Sequence, residues 1–484
     1  MRLRCYNSQI QNHFYIESNL CKQGKEMNRM ALIAKSIKGT QDVLPSDSYK
    51  WQYVEKTCLE TARLHGYSEI RTPVFEHTEL FTRGVGDTTD VVQKEMYTFT
   101  DRGDRSLSLR PEMTASAVRS AIEHGLINDA LPVKACYTAA CYRAEKPQAG
   151  RMREFHQFGV ELFGAPSPAA DAEIISLADA TLRELGIKGY TLEINSIGCP
   201  TCRAEYHKAL KEYFEGKKEQ LCETCLDRLD RNPMRIIDCK VPSCQEVAKD
   251  APRMIDYLCD DCREHFDSVK KYLDAMGIAY TVNPSIVRGL DYYTRTVFEF
   301  ISSDLGAQST ICGGGRYDGL FKQLGGPDTP SLGFGMGLER VMLVMDAQGV
   351  AYPEPEKTMI YLAPMGEAAV IKCMELCAKM RAEGFSAQTD LNNRSVKAQM
   401  KYANKLGAKY TVVIGDSELE SGIVRLKNMD SGEQTEVTMD TGIIEALYDM
   451  GINDTMARLN ETVAAFEGLA GLDKLLGSEG SEEV

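Results

Sequence analysis

Ala140-Cys-Tyr-Arg-Ala-Glu-Lys-Pro-Gln-Ala-Gly-Arg-Met-Arg-Glu-Phe-His-Gln-Phe-Gly-Val-Glu161 reads as two strands joined by a polar, basic loop. Tyr137, Ala139, Cys141 and Arg143 before the loop, and Phe155, Gln157, Gly159 and Glu161 after it, alternate with the period of two that a pleated strand requires. Pro147 and Gly150 mark the turn, so an antiparallel hairpin is expected. Arg143 ends the first strand with Glu145, Arg151 and Arg153 close by. A guanidinium held on a strand offers the planar donor fork that grips a phosphate through two bonds. A salt-bridged surface hairpin is the other reading this stretch leaves open. Gln157, Gly159 and Glu161 share a face, the glycine leaving a gap between two polar side chains. Such a gap suits a small polar ligand, whose donors and acceptors a carboxylate and an amide can satisfy; an ordinary half-exposed strand would show the same pattern.

A second arginine closes Gly333-Phe-Gly-Met-Gly-Leu-Glu-Arg340, where Leu338, Val341, Met342 and Met345 begin an amphipathic helix. The alternate glycines before it leave a flat strand face on which a planar ring can lie. Three further runs belong with these: Glu69-Ile-Arg-Thr-Pro73, Leu109-Arg-Pro-Glu-Met-Thr114 and Arg288-Gly-Leu-Asp-Tyr-Tyr-Thr-Arg-Thr-Val-Phe-Glu299. Taken in order, the motifs resemble those of class II aminoacyl-tRNA synthetases, and the last two those of the histidyl-tRNA synthetase family. The resemblance runs from about Met30 to about Met450.

It implies an α+β catalytic core built on an antiparallel sheet over residues 30–195 and 276–348. It also implies a helical insertion at 196–275 and a C-terminal α/β domain like an anticodon-binding domain at 356–450. The implied reaction is ATP-dependent ligation of L-histidine to tRNA(His) through a histidyl-adenylate, with Mg2+ on the ATP phosphates. Arg143, Arg288 and Arg340 would serve the reacting phosphates, with Glu145 and Phe155 beside them in the ATP site. Glu112, Thr114, Gln157, Glu161, Tyr292 and Tyr293 would bind histidine, and Gln148 and Arg151 would meet the acceptor end of tRNA. A homodimer is implied as well. The competing reading is the histidine-binding regulatory subunit of ATP phosphoribosyltransferase, which shares the core without the catalysis. Both motif arginines, the complete run Arg288 to Glu299 and a C-terminal domain count against it.

The 484 residues, 43% of them apolar, suffice for about three domains. With 56 basic and 70 acidic residues the net charge is -14, so a nucleic-acid partner must be met by local basic patches. No apolar run approaches the roughly 18 residues of a membrane span, and no signal peptide is evident, so a cytoplasmic protein with reduced thiols is expected.

Residues 1–29 lack periodicity and read as a disordered extension or a start placed too early. Ser46 is a plausible N-cap for a helix carrying Trp51, Val54, Cys58 and Ala62 on one face, and a strand is expected from Ile70 to Phe75 despite Pro73. Glu112 and Thr114 share strand parity, so an extended segment would turn both to one pocket. Cys199, Cys202, Cys222, Cys225, Cys239, Cys244, Cys259 and Cys262 form three Cys-x-x-Cys pairs and one wider pair. That spacing points to structural Zn2+, two adjacent pairs supplying four thiolates; the resemblance requires no metal, and reduced thiols in a helical lid are the alternative. Cys312-Gly-Gly-Gly-Arg-Tyr-Asp-Gly319 adds a second glycine-rich stretch. After Pro353 and Pro355, strands at Met359–Leu362, Tyr410–Ile414 and Ile423–Leu426 alternate with helices, one presenting Lys397, Lys401 and Lys405 either to phosphate or merely to water. Residues 451–484 form a C-terminal tail, whose acidic part after about Gly468 reads as disordered.

Overall fold

The computed structural model describes residues 34–86 and 89–452. The extension expected at 1–29, and all but the first two residues of the tail, lie outside the described residues. The chain divides into two compact units, one up to Pro353 and one from Glu354.

In chain order the strands of the first unit are β1 (Ser68–Glu69), β2 (Phe75–His77), β3 (Thr98–Thr100), β4 (Ser106–Leu109), β5 (Val133–Tyr142), β6 (Glu154–Phe163), β7 (Thr191–Ser196), β8 (Thr281–Val282), β9 (Thr294–Ile301), β10 (Thr310–Arg316) and β11 (Ser331–Gly337). Eight of them make one sheet in the order β1-β5-β6-β11-β10-β9-β7-β8, antiparallel except for a parallel pair at each edge. β2, β4 and β3 make a small antiparallel sheet of their own.

Alternation along the central strands sorts their side chains onto two faces. Phe158, Val160 and Leu162 on β6, with Leu332, Phe334 and Met336 on β11, are buried in the main core. Helices Ser48–Leu64, Pro168–Glu184, Asp260–Ala275 and Leu338–Gln348 pack on that side through Val54, Ile174, Val269 and Val341. Pro168–Glu184 begins where the sequence favours it, with proline in the first turn and the Ser167 hydroxyl accepting the Ala169 N–H. Arg316 and Asp171 are fully buried there; the guanidinium donates to both carboxylate oxygens, to Ala165 O and to Ser167 O, while His265 reaches the same carboxylate at 3.2 Å. The glycine-rich Cys312–Gly319 is thus a central strand and turn, with its arginine spent on structure.

Two local expectations need correction. The helix near Trp51 starts at Ser48 with Asp47 at the capping position, and the Ser46 hydroxyl donates to Asp47 instead of capping. The strand expected over Ile70–Phe75 breaks in two: β1 pairs with β5, and β2 joins the small sheet. Pro73 has no N–H for a ladder and restricts Thr72 before it, and Arg110 fills the break by donating to Thr72 O.

Between β7 and β8 lie helices Pro200–Glu215, Glu223–Arg231, Met234–Ile237 and Pro242–Ala248, then Asp260–Ala275, whose Phe266, Val269 and Leu273 enter the core of the sheet. The second unit holds β12 (Ile360–Pro364), β13 (Ala387–Thr389), β14 (Tyr410–Ile414), β15 (Ile423–Asn428) and β16 (Gln434–Thr438), in the order β13-β12-β14-β15-β16. Ile360, Leu362, Val412 and Ile414 bury one face against helix Glu367–Ala382, and Tyr361 and Ala363 bury the other against Ala403 of helix Val396–Lys405. Among the described residues no helix is long and apolar enough to cross a membrane.

Candidate active site

The face of the large sheet away from the helices is nearly bare at its centre. Gly333, Gly335 and Gly337 on β11 lie opposite Glu161, Gly159 and Gln157 on β6, and Gly335 lies opposite Gly313 on β10. A Cβ at Gly333 would meet Glu161 Oε2 at 2.2 Å, and one at Gly313 would meet the Arg288 guanidinium at 2.6 Å. The missing side chains leave the floor of a cleft of about 600 Å³, a volume fit for a ligand of nucleotide size.

Arg143, Arg288 and Arg340 all line this cleft, with Glu145, Arg151, Phe155 and Gln157. Arg143 lies over the Phe155 ring, 5.1 Å from its centroid, and its Nε donates to Pro111 O at 3.0 Å. Its two terminal nitrogens make no hydrogen bond among the described residues. Arg340 enters from the helix after β11 and donates to Gly150 O and Thr310 O at 2.9 and 2.6 Å, fixing the hairpin loop to β10. Burial pushes its pKa down, with Arg151 and Arg143 adding like-charge repulsion. Arg288 pairs with Glu299 and stacks over Tyr293. Burial works against its charge, and Tyr293 and Glu299 more than restore it. Its Nε is buried without a hydrogen-bond partner. A buried orphan donor costs about 1–3 kcal/mol, so its natural complement is an acceptor brought in by a ligand.

Glu112, Thr114, Glu161, Tyr292 and Tyr293 stand together on the cleft's side of the sheet, covered from solvent, and do not line the open cleft. Glu161 is fully buried, which overturns the half-exposed reading of its strand. It accepts from Thr114 Oγ1 at 2.8 Å, from Tyr137 Oη at 3.0 Å and from Tyr317 Oη. Burial pushes its pKa up to about 8 against these hydrogen bonds. Tyr292 packs on Tyr293 and Tyr317, with ring centroids 4.7 and 5.5 Å apart. The segment before helix Thr114–Glu123 is not extended, so parity does not place Glu112. Its carboxylate accepts the Thr114 and Ala115 N–H groups at 2.7 and 2.9 Å, where the exposed amides of a helix start favour an anion. Gln148 and Arg151 face each other across the hairpin turn, and Arg151 pairs with Glu145 at 3.1 Å.

Tyr137, Tyr317 and Glu299 stand in the candidate site beside Glu161 and Arg288, and sequence reasoning gave them no part in it. Tyr137 had the strand parity to be found, but which groups it meets depends on register across the sheet. In the insertion the eight cysteines form two clusters, Cys199, Cys202, Cys259 and Cys262 in one, and Cys222, Cys225, Cys239 and Cys244 in the other. The first pair therefore joins the last pair and not its neighbour in sequence.

An antiparallel sheet with a glycine floor and converging arginines defines the core of a class II aminoacyl-tRNA synthetase. Comparison with known proteins narrows this. Residues 39–341 match the family model for histidyl-tRNA synthetase, and residues 359–445 that for an anticodon binding domain. The histidine--tRNA ligase of Caldanaerobacter subterraneus subsp. tengcongensis is 56% identical over 409 residues, 84% of this chain and 98% of that protein. That of Acetivibrio thermocellus is 55% identical over 410 residues, 85% of this chain and 98% of that protein. The crystal structure of apo S. aureus histidyl-tRNA synthetase aligns with a TM-score of 0.74 at 39% identity, covering 86% of this chain and all of that one. The chain belongs to the histidyl-tRNA synthetase family. A Bacillus halodurans structure described as an ATP phosphoribosyltransferase regulatory subunit/histidyl-tRNA synthetase shares the fold alone, at 23% identity and a TM-score of 0.56 over 77% of this chain and 97% of that one. It is the histidine--tRNA ligases at 56% and 55% identity that leave the regulatory reading unfavoured.

Proposed function

We propose that the cleft joins L-histidine to ATP as histidyl-adenylate and then passes the acyl group to tRNA(His). The observation that carries the site assignment is the glycine floor ringed by three arginines, one of them with a buried, unpaired donor. In the first step a histidine carboxylate oxygen attacks the α-phosphorus of ATP and pyrophosphate leaves. In the second a ribose hydroxyl at the tRNA terminus attacks the acyl carbon and AMP leaves. Neither step needs a nucleophile from the protein, so alignment and charge neutralisation dominate.

Arg143 holds the α-phosphate from the hairpin side, Arg288 faces it through its orphan donor, and Arg340 meets the γ-phosphate. Phe155 offers a ring for adenine to stack on, and Glu145 sits beside it. Histidine enters between Gln157 and the buried group of Glu112, Thr114, Glu161, Tyr292 and Tyr293, which must open slightly to admit it. The family implies ATP and a divalent metal ion. Glu145, Glu193 and Glu299 line the cleft and are oxygen ligands of the kind Mg2+ takes; carried on the triphosphate, the ion would neutralise phosphate charge. Zinc is assigned to the cysteine-rich insertion as a structural ion with no part in either step.

Gln148 and Arg151 at the exposed hairpin tip meet the tRNA acceptor end, and exposed Lys397, Lys401 and Lys405, spaced four apart along one helix, meet phosphates elsewhere on the tRNA. Exposed Val74, Phe75 and Phe99 at the small sheet support a homodimer formed through this region, which light scattering of the purified protein tests. A supplier of charged tRNA to translation belongs in the cytoplasm, and we infer that location for this protein. Pyrophosphate exchange into ATP with each amino acid in turn tests the chemistry: exchange with histidine only supports it, and no exchange with any amino acid refutes it.

A further inference from the structure

The insertion's eight cysteines lie in two groups of four, the sulfurs of each within 4.8 Å of one another. A zinc ion with four thiolates at about 2.3 Å places its sulfurs about 3.8 Å apart. Cys199 Sγ lies 3.6 Å from Cys202 Sγ and 3.9 Å from Cys259 Sγ, and Cys222 Sγ lies 3.9 Å from Cys239 Sγ. A disulfide would need about 2.05 Å, so these are not bonded pairs. In each cluster a backbone N–H points at a sulfur: Cys259 N–H donates to Cys202 Sγ at 3.1 Å, and Cys222 N–H to Cys244 Sγ at 3.2 Å. Cys199, Cys222 and Cys259 each hold the capping position of a helix, where the helix start favours a thiolate. Four sulfurs, buried or nearly so, with amides turned toward them form a closed site of the structural kind.

Both clusters are also tied to the segment that carries Arg288 and Tyr293. Arg203, next to Cys202, donates to Ile197 O at 3.2 Å and to Tyr293 O. Gly198, next to Cys199, accepts the Arg295 N–H at 3.0 Å. Asn232, at the end of helix Glu223–Arg231, and Arg235, in helix Met234–Ile237, lie between Cys225 and Cys239 and reach Asp291 Oδ1 at 3.2 and 3.1 Å, and Arg235 also donates to Gly289 O. The substrate segment Gly289–Tyr293 therefore hangs from the insertion at three backbone carbonyls or carboxylates, each bonded within a few residues of a cluster cysteine or between two cysteines of one cluster.

We propose that the insertion binds two structural Zn2+ ions per chain, one in each four-cysteine cluster, and that together they position the Arg288–Tyr293 segment for histidine. The metal sites stand on the cysteine geometry alone; the effect on histidine rests on the role proposed above for the cleft. Arg203, Asn232 and Arg235 are positioning residues that act through Asp291 and the backbone of the segment.

The test is metal analysis of the purified full-length protein, followed by release of zinc with an organomercurial thiol reagent and its restoration by thiol and Zn2+. Two zinc equivalents per chain are expected, and zinc-free protein should show a raised KM for histidine in pyrophosphate exchange, with KM for ATP changed less and both restored on reloading. Fewer than one zinc per chain, or iron in its place, overturns the metal assignment whatever the activity. Zinc release that leaves the histidine KM unchanged overturns the positioning role. Arg235→Ala gives a check that touches no cysteine: it should keep two zinc ions, raise the histidine KM about tenfold and leave kcat nearly unchanged, the loss of a hydrogen bond from a charged donor being of that size. An unchanged KM in that variant likewise removes the tether.

Discussion

Arg288 carries an ion pair to Glu299, a ring contact to Tyr293 and a buried Nε with nothing to bond. Two of these hold the side chain in place, and the third is the donor that the proposed reaction gives to a phosphate oxygen. Losing a donor aimed at developing charge costs about 3–4 kcal/mol, so Arg288→Ala should lower histidine-dependent pyrophosphate exchange on the order of a hundredfold or more. Wild-type exchange in that variant would remove Arg288 from the reacting centre. Glu161 makes a second prediction. Its carboxyl rises from an ordinary 4.5 to about 8 through burial, so the folded chain keeps a proton that the unfolded chain has released over this range. Folding is then favoured at the acid end of the window and loses stability as pH climbs through it. Urea midpoints at pH 5.5 and 8 should fall for the wild type and fall less for Glu161→Gln; equal falls would place the proton elsewhere. Strand parity was enough to put Gln157 and Glu161 on one face. It could not show that Tyr137 and Tyr317 close over Glu161, because those residues lie 24 and 156 positions away in sequence.

Among the elements, β11 does most to make a site out of a sheet. Its glycines remove side chains from one face while Leu332, Phe334 and Met336 anchor the other in the core. At Gly335 an added Cβ would come within 3.0 Å of Gln157 Nε2, the movable end of a side chain, so Gly335→Ala should fold and yet raise the cleft floor. The expected reading is a KM for ATP several-fold above wild type at an unchanged urea midpoint. A lost fold would mean that the strand, and not the ligand, needs that glycine. Asp171→Ala should do the opposite. It takes from the buried Arg316 charge its main carboxylate partner and leaves only Asp318 at 3.2 Å, a change that costs about 3 kcal/mol, with exchange activity per folded molecule largely retained. Burial alone would raise the Asp171 carboxyl, but Arg316 and His265 hold it below its usual value. The stability it contributes is therefore present at neutral pH and lost as pH falls through that lowered range. The hairpin β5–β6 and strand β14 were legible from period and turn residues. The split at Pro73 was not, because a proline says only that a ladder is interrupted and not which sheet each half joins. Nor were β13 and β16, whose Ala-Gln-Thr and Gln-Thr-Glu-Val-Thr offer no apolar run to find.

For the whole molecule, the division at Pro353 marks off two units, each with a buried core of its own among the described residues. A chain ending at Pro353 should keep histidine-dependent exchange and lose most of its ability to charge tRNA(His); retention of full charging would deny the second unit its role in tRNA binding. This order of units was readable from the motifs and from the change of pattern after Pro355, since both depend on local sequence. The arrangement of the insertion was not, because spacing alone cannot say which cysteine pairs meet. They meet as nested brackets. The inner set spans the 22 residues from Cys222 to Cys244, while the outer set joins Cys199 to Cys259 across 60. During synthesis the inner bracket is complete before the outer can close, and closing it first shortens the loop that the outer pair must still span. The order of assembly is thus written into the spacing: the centre of the insertion sets before its stem is drawn shut, and the segment bearing Arg288 emerges onto a scaffold already made.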